Sequence, residues 1–119
     1  MRDHRKLRAF ELADVLVLSI YKATRGFPKD ELFGLTSQIR RAAVSTAANI
    51  VEGCARETQK DYIHFLTQSL GSLREVGYYV SLCQRLGYLS EECARDLGAQ
   101  YTETVRVMGG LITSLRGPR

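Results

Sequence analysis

From Tyr62 to Cys83 the chain sets Tyr62, Leu66, Ser69, Leu73, Val76, Val80 and Cys83 at alternating steps of four and three. That is the register of a helix packed at a shallow angle along antiparallel neighbours. A strand needs alternation at every second position, and no segment shows it convincingly. The spacing predicts a helix opening at Thr58 and running to Leu86, just before Gly87. At about 1.5 Å per residue it is roughly 40 Å long and sets the length of any bundle built around it. Asp61 stands where a capping-box carboxylate would sit, although Glu or Gln is the usual choice there.

Three further helices are predicted around this one. The first spans roughly residues 10 to 25 with Phe10, Ala13, Val17, Ile20 and Thr24 on its inward stripe, and it stops at Gly26 with Pro28 following. Phe27 then packs back on the end of the bundle. The second starts at Thr36, whose hydroxyl is placed to cap the first turn. Its stripe is Ile39, Ala43, Thr46, Ile50 and Gly53, and Ala42, Ala47 and Ala48 keep the flanks small enough for close approach. Ser90 caps the fourth, with Glu91 and Glu92 in its first turn. Its inward residues are Ala94, Leu97, Tyr101, Val105, Met108, Ile112 and Leu115, and Gly109-Gly110 points to close packing or a fraying end. The fold class is all-α, an antiparallel up-and-down four-helix bundle. The third helix also carries Ile63, Phe65, Leu70, Tyr79, Leu82 and Leu86 outside its seam, so it needs either a wide core face or an intermolecular contact.

With 119 residues the chain fits one domain. Most of its net charge of +4 sits in the first eight residues, where Arg2, Arg5, Lys6 and Arg8 face only Asp3. Residues 1–9 therefore read as a basic N-terminal tail on a nearly neutral bundle of residues 10–116. No run approaches the roughly 18 apolar residues of a membrane span, and no signal-type segment follows the N-terminus. A cytoplasmic protein with no membrane partner is expected. Cys54, Cys83 and Cys93 contain no CxxC pair, so reduced, mostly structural thiols are expected rather than a disulfide framework.

The sequence points to no catalytic residues, no metal site and no cofactor. Histidine, the commonest general base, occurs only as His4 and His64. Asp61-x-x-His64 has the spacing of one di-iron motif, but such bundles use two copies and two further carboxylates. There is no phosphate loop, HExxH or GxSxG. The informative charges are Arg40 and Arg41, which have no acid three or four positions away on their own helix. They are solvated, bridge to another helix or subunit, or meet phosphate. Arg56, Arg95 and Arg106 have local acids and read as ordinary surface pairs. Asn49 and Glu52, polar positions in an alanine-rich helix, are expected to fix register. The six tyrosines read as packing residues more readily than as base-stacking platforms.

Ile20-Tyr21-Lys22, Gly26-Phe27-Pro28-Lys29, the block from Phe33 through Gly34 and Gln38 to Ser45, Asn49-Ile50-Val51-Glu52-Gly53, Gly71-Ser72-Leu73 and Leu86-Gly87-Tyr88-Leu89 together resemble the 23S rRNA intervening-sequence protein family. The likeness spans about residues 7 to 90. It implies a four-helix bundle that assembles as a ring-like homopentamer, related to the accessory variability proteins of diversity-generating retroelements, which bind nucleic acid and a reverse transcriptase. Phe33, Gly34, Gln38, Asn49, Glu52 and Gly53 carry the family pattern. Phe10 stands where a tryptophan is common, and Ser45-Thr46-Ala47-Ala48 replaces a more usual Ser-Ile-Pro-Ser, which removes a helix-two proline. The expected function is a non-enzymatic homo-oligomer that binds RNA or DNA weakly through Arg5, Lys6, Arg8, Arg40 and Arg41. The competing expectation is a structural or adaptor ring that docks a protein partner.

Overall fold

A computed structural model describes residues 2–118. Its four helices are α1 (Arg8–Thr24), α2 (Leu35–Cys54), α3 (Gln59–Arg85) and α4 (Glu91–Arg116), with no strand among the described residues. Each packs on its neighbours in the closed order α1, α2, α3, α4. The end of α1 meets the start of α2 where Arg40 donates to Thr24, and the start of α3 meets the end of α4 where Gln59 Nε2 donates to the Leu115 carbonyl. Neighbours therefore run antiparallel. The bundle measures 44 × 23 × 22 Å, a length that α3 sets.

All seven residues of the α3 seam are buried, because a helix lying along antiparallel partners turns one side chain inward per turn. Thr58 accepts from the Asp61 amide and Ser90 from the Cys93 amide, so both expected caps form. The small stripe of α2 lets it lie close to α3. There, Ser69 Oγ donates to the Thr46 carbonyl inside the core, and Ser45 and Ser72 share a hydroxyl bond of 2.8 Å. These two serine contacts fix the α2–α3 register. Asn49 bonds back to Ser45 on its own helix, and Glu52 is an exposed partner of Arg56, so neither reaches across the interface. An ideal Cβ at Gly53 would lie 3.0 Å from Phe65 Cβ and 3.3 Å from the Tyr62 carbonyl oxygen; the glycine is what the close crossing requires.

Several expectations change. On α1 the buried residues are Ala9, Ala13, Leu16, Ile20 and Thr24, with Phe10 and Val17 on the flank. On α4 Thr104 is buried while Tyr101 and Val105 are half-buried, because the Thr104 hydroxyl bonds to the Gln100 carbonyl within its own helix and loses little on burial. Ile63, Leu70 and Tyr79 pack onto the core, so a wide core face accounts for much of the extra apolarity of α3. The large exposed apolar side chains lie mainly on α1 and α2 and the turn between them, led by Phe33 at 92% and Leu18 at 66%. Residues 2–9 are not a free tail: a 3₁₀ turn over His4–Lys6 precedes α1, Leu7 packs on the core, and Arg2 lies over the Tyr62 ring at 4.0 Å. α4 continues unbroken through Gly109-Gly110, where added side chains would meet no neighbour within 4 Å.

Gly53 and Gly71 separate packing from propensity. Gly53→Ala should lower stability by about 1 kcal/mol through overpacking. Gly71→Ala, at an exposed point of α3 with nothing within 4 Å, should raise it by up to ~1 kcal/mol. Urea unfolding of the two variants checks the opposite signs.

Candidate nucleic-acid interface

The turn between α1 and α2 is held rigidly. Phe27 folds back and is buried beside the Tyr88 ring, 5.5 Å between centroids. A 3₁₀ turn over Lys29–Glu31 follows, and the Glu31 carboxylate then accepts from the Leu35 amide (3.2 Å) and the Tyr88 hydroxyl (2.9 Å). The Tyr88 hydroxyl is accordingly raised above its ordinary pKa, chiefly by this bond to Glu31. Glu31 thus supplies the start of α2 with a carboxylate that favours the helix dipole. A Cβ at position 34 would sit 2.6 Å from that carboxylate oxygen, so a side chain there would push Glu31 out of its bonds to Leu35 and Tyr88. Thr36 does not cap α2. The helix begins one residue earlier, at Leu35, and Thr36 is buried with its hydroxyl lacking a hydrogen-bond partner.

On this frame Arg40 is positioned by two contacts across the α1–α2 interface. Its Nε donates to Thr24 Oγ1 at 2.8 Å, and its guanidinium lies over the Tyr21 ring at 4.6 Å. Thr24 in turn donates to the Ile20 carbonyl. The two terminal nitrogens of Arg40 have no hydrogen-bond partner among the described residues. Arg40 lines two adjoining clefts. One, of about 300 Å³, also holds Arg25 and Lys29; the other, of about 480 Å³, is walled by Tyr21, Leu32, Phe33 and Val44. Arg41 points to Gln38 (3.1 Å) and, at 3.9 Å, to Glu75 of α3, an exposed pair worth little.

The other expected cations lie elsewhere. Arg5 pairs with Asp3 at 3.0 Å and Arg8 with Glu11 at 3.6 Å, while Lys6 is exposed without an ion pair among the described residues. They sit at the start of α1, about 24 Å along the helix from Thr24 at its end. The five named cations therefore form two separate groups in one chain. Tyr21, Arg25, Lys29 and Thr36 were missed as members of the second group, because only folding brings α1 and α2 together. The signal within the chain was the cationic run around Gly26-Phe27-Pro28.

No three His, Cys, Asp or Glu side chains cluster as metal ligands among the described residues, and His64 lies edge-on to Phe65. The cysteines are unpaired. Burial pushes Cys83 up to about 11 and raises Cys54; Cys93 is raised by burial and by Asp96 and Glu92. A raised pKa leaves less thiolate at pH 8 than a free cysteine has. Native protein should therefore react slowly with a thiol reagent, Cys93 first, and quickly at all three positions once unfolded; stopped-flow absorbance measures the two rates.

The likeness to known proteins rests on the same frame. A crystal structure of a protein with unknown function from the S23 ribosomal protein family of Bacteroides thetaiotaomicron VPI-5482 superposes with a TM-score of 0.81 at 22% identity, covering 87% of this chain and 94% of that one. No curated protein matches the sequence. The family model for the 23S rRNA-intervening sequence protein matches residues 5–110, a span that takes in all of α1, α2 and α3 and most of α4. The chain belongs to the 23S rRNA-intervening sequence protein family.

Proposed function

We propose that this chain is a non-enzymatic homo-oligomer, pentameric as the family likeness suggests, that binds single- or double-stranded nucleic acid weakly through its cationic surface. The observation that carries this reading is the set of cations around the α1–α2 turn. Lys22, Arg25, Lys29 and Arg40 form no ion pair among the described residues; Arg2, Lys6, Lys60, Arg74, Arg85 and Arg116 are likewise without one, but Arg25, Lys29 and Arg40 are brought together to line one cleft. Cations without local partners attract a polyanion by releasing its condensed counterions, and rotational symmetry repeats the group on every subunit so that avidity adds to a modest single contact. A sequence pI of about 9.1 fits such a partner.

The exposed apolar side chains of α1 and α2, among them Val15, Leu18, Val44 and Val51, favour a second reading, in which the ring serves as a scaffold that docks a protein partner. The two readings separate on salt. Nucleic-acid affinity measured by fluorescence anisotropy should fall steeply as salt rises, and Arg40→Ala with Arg41→Ala should flatten the log–log slope by roughly 1 to 2 while light scattering reports an unchanged mass. Binding that is absent or insensitive to salt contradicts nucleic-acid recognition. A fall in mass assigns the two arginines to subunit contacts.

A further inference from the structure

Resting on that reading, we propose that the α1–α2 turn forms a subsite for one nucleotide of a single strand, with the phosphate on Arg40, Arg25 and Lys29 and the base stacked on Phe33. Phe33 is 92% exposed in a turn that is otherwise firmly held, since Glu31, two residues before it, is anchored to both Leu35 and Tyr88. An aromatic ring presented this fully on a fixed backbone is a stacking platform, and stacking tolerates any base because every base has a π-face. Duplex bases are already stacked on one another, so the platform selects unpaired strands.

The phosphate side is preorganised as well. Thr24 and Tyr21 hold the Arg40 guanidinium from its Nε edge and one face, leaving the pair of terminal nitrogens that recognises phosphate oxygens in a bidentate manner. Arg25 and Lys29 line the same cleft. The aromatic cleft and the cationic cleft share Leu32, Thr36 and Arg40, so the two adjoin, as a base and its own phosphate require. The buried Thr36 hydroxyl, unmatched within the protein, is the kind of polar group that native structures rarely leave without a partner. Of the two acids in this turn, Glu31 already accepts two hydrogen bonds and faces the helix start and Tyr88, while Asp30 is exposed beside Lys29 and offsets part of its charge.

The test uses the full chain and a labelled oligodeoxythymidylate, with a duplex of equal length, thymidine monophosphate and inorganic phosphate as competitors. Phe33→Leu should weaken binding of the single strand about tenfold, Phe33→Tyr should retain it, and Arg40→Lys should weaken it despite keeping the charge. The duplex should compete poorly, and thymidine monophosphate should compete better than inorganic phosphate; competition by phosphate alone at equal strength removes the base from the site and overturns the proposal. Wild-type affinity in both Phe33→Leu and Arg40→Lys also overturns it, while strand binding by the parent chain keeps the broader reading. A drop in assembly mass for Phe33→Leu overturns it differently, by making Phe33 a subunit contact. If the parent chain binds the duplex but not the single strand at low salt, the subsite alone fails; if it binds neither, the broader reading fails with it.

Discussion

The small-residue crossing of α2 on α3 is the contact from which the remaining geometry follows. Gly53 sits against Phe65 and Tyr62, the alanines Ala42, Ala43 and Ala47 are buried along α2, and Ser69 and Ser72 bond across to α2. Close backbones bury little area per residue but gain dispersion contacts at interior density. With the α2–α3 register fixed, α1 and α4 complete the core through larger residues such as Leu16, Ile20, Met108 and Ile112. Polar atoms in this core are mostly matched within one helix or across that one crossing, and the ion pairs lie on the surface, where each is worth little.

That arrangement leaves the end of the bundle available for function. Phe27, Tyr88 and Glu31 lock the α1–α2 turn from one side, and Thr24 and Tyr21 fix Arg40 from the other. Surface connections positioned by a rigid scaffold are where binding residues are commonly found. No helix among the described residues is long and apolar enough to cross a membrane, and the exposed apolar side chains of α1 and α2 stand on the outer surface of the bundle.

The seam of α3 was fully legible in the sequence because an antiparallel neighbour imposes one inward residue per turn, and that constraint is written in the four-three spacing. The stripe of α1 was less so. Leu16 and Val17 are adjacent apolar residues, and only the position of the partner helices decides which of them is buried. Thr104 was passed over for Val105 because a threonine that bonds to its own helix can be buried at little cost, which polarity alone does not reveal. At the candidate site, sequence picked out Arg40 by the absence of a local acid. Its actual partners, Thr24 and Tyr21, lie on another helix. Phe33 carried a family pattern, but a turn residue has no period from which exposure can be read. The docking of residues 2–9 was hidden by their charge, which suggested solvent although Leu7 and Ala9 face the core.

Whether the chain is an oligomer that carries nucleic acid is tested most directly on freshly purified protein, by absolute mass from light scattering together with absorbance at 260 and 280 nm. With six tyrosines and no tryptophan, the protein absorbs weakly, and a small amount of bound nucleic acid dominates the ratio. An oligomer that carries nucleic acid should show a mass several times the 13.4 kDa of one chain and an excess at 260 nm that high salt removes. A monomer mass with the spectrum of protein alone would contradict the proposed function.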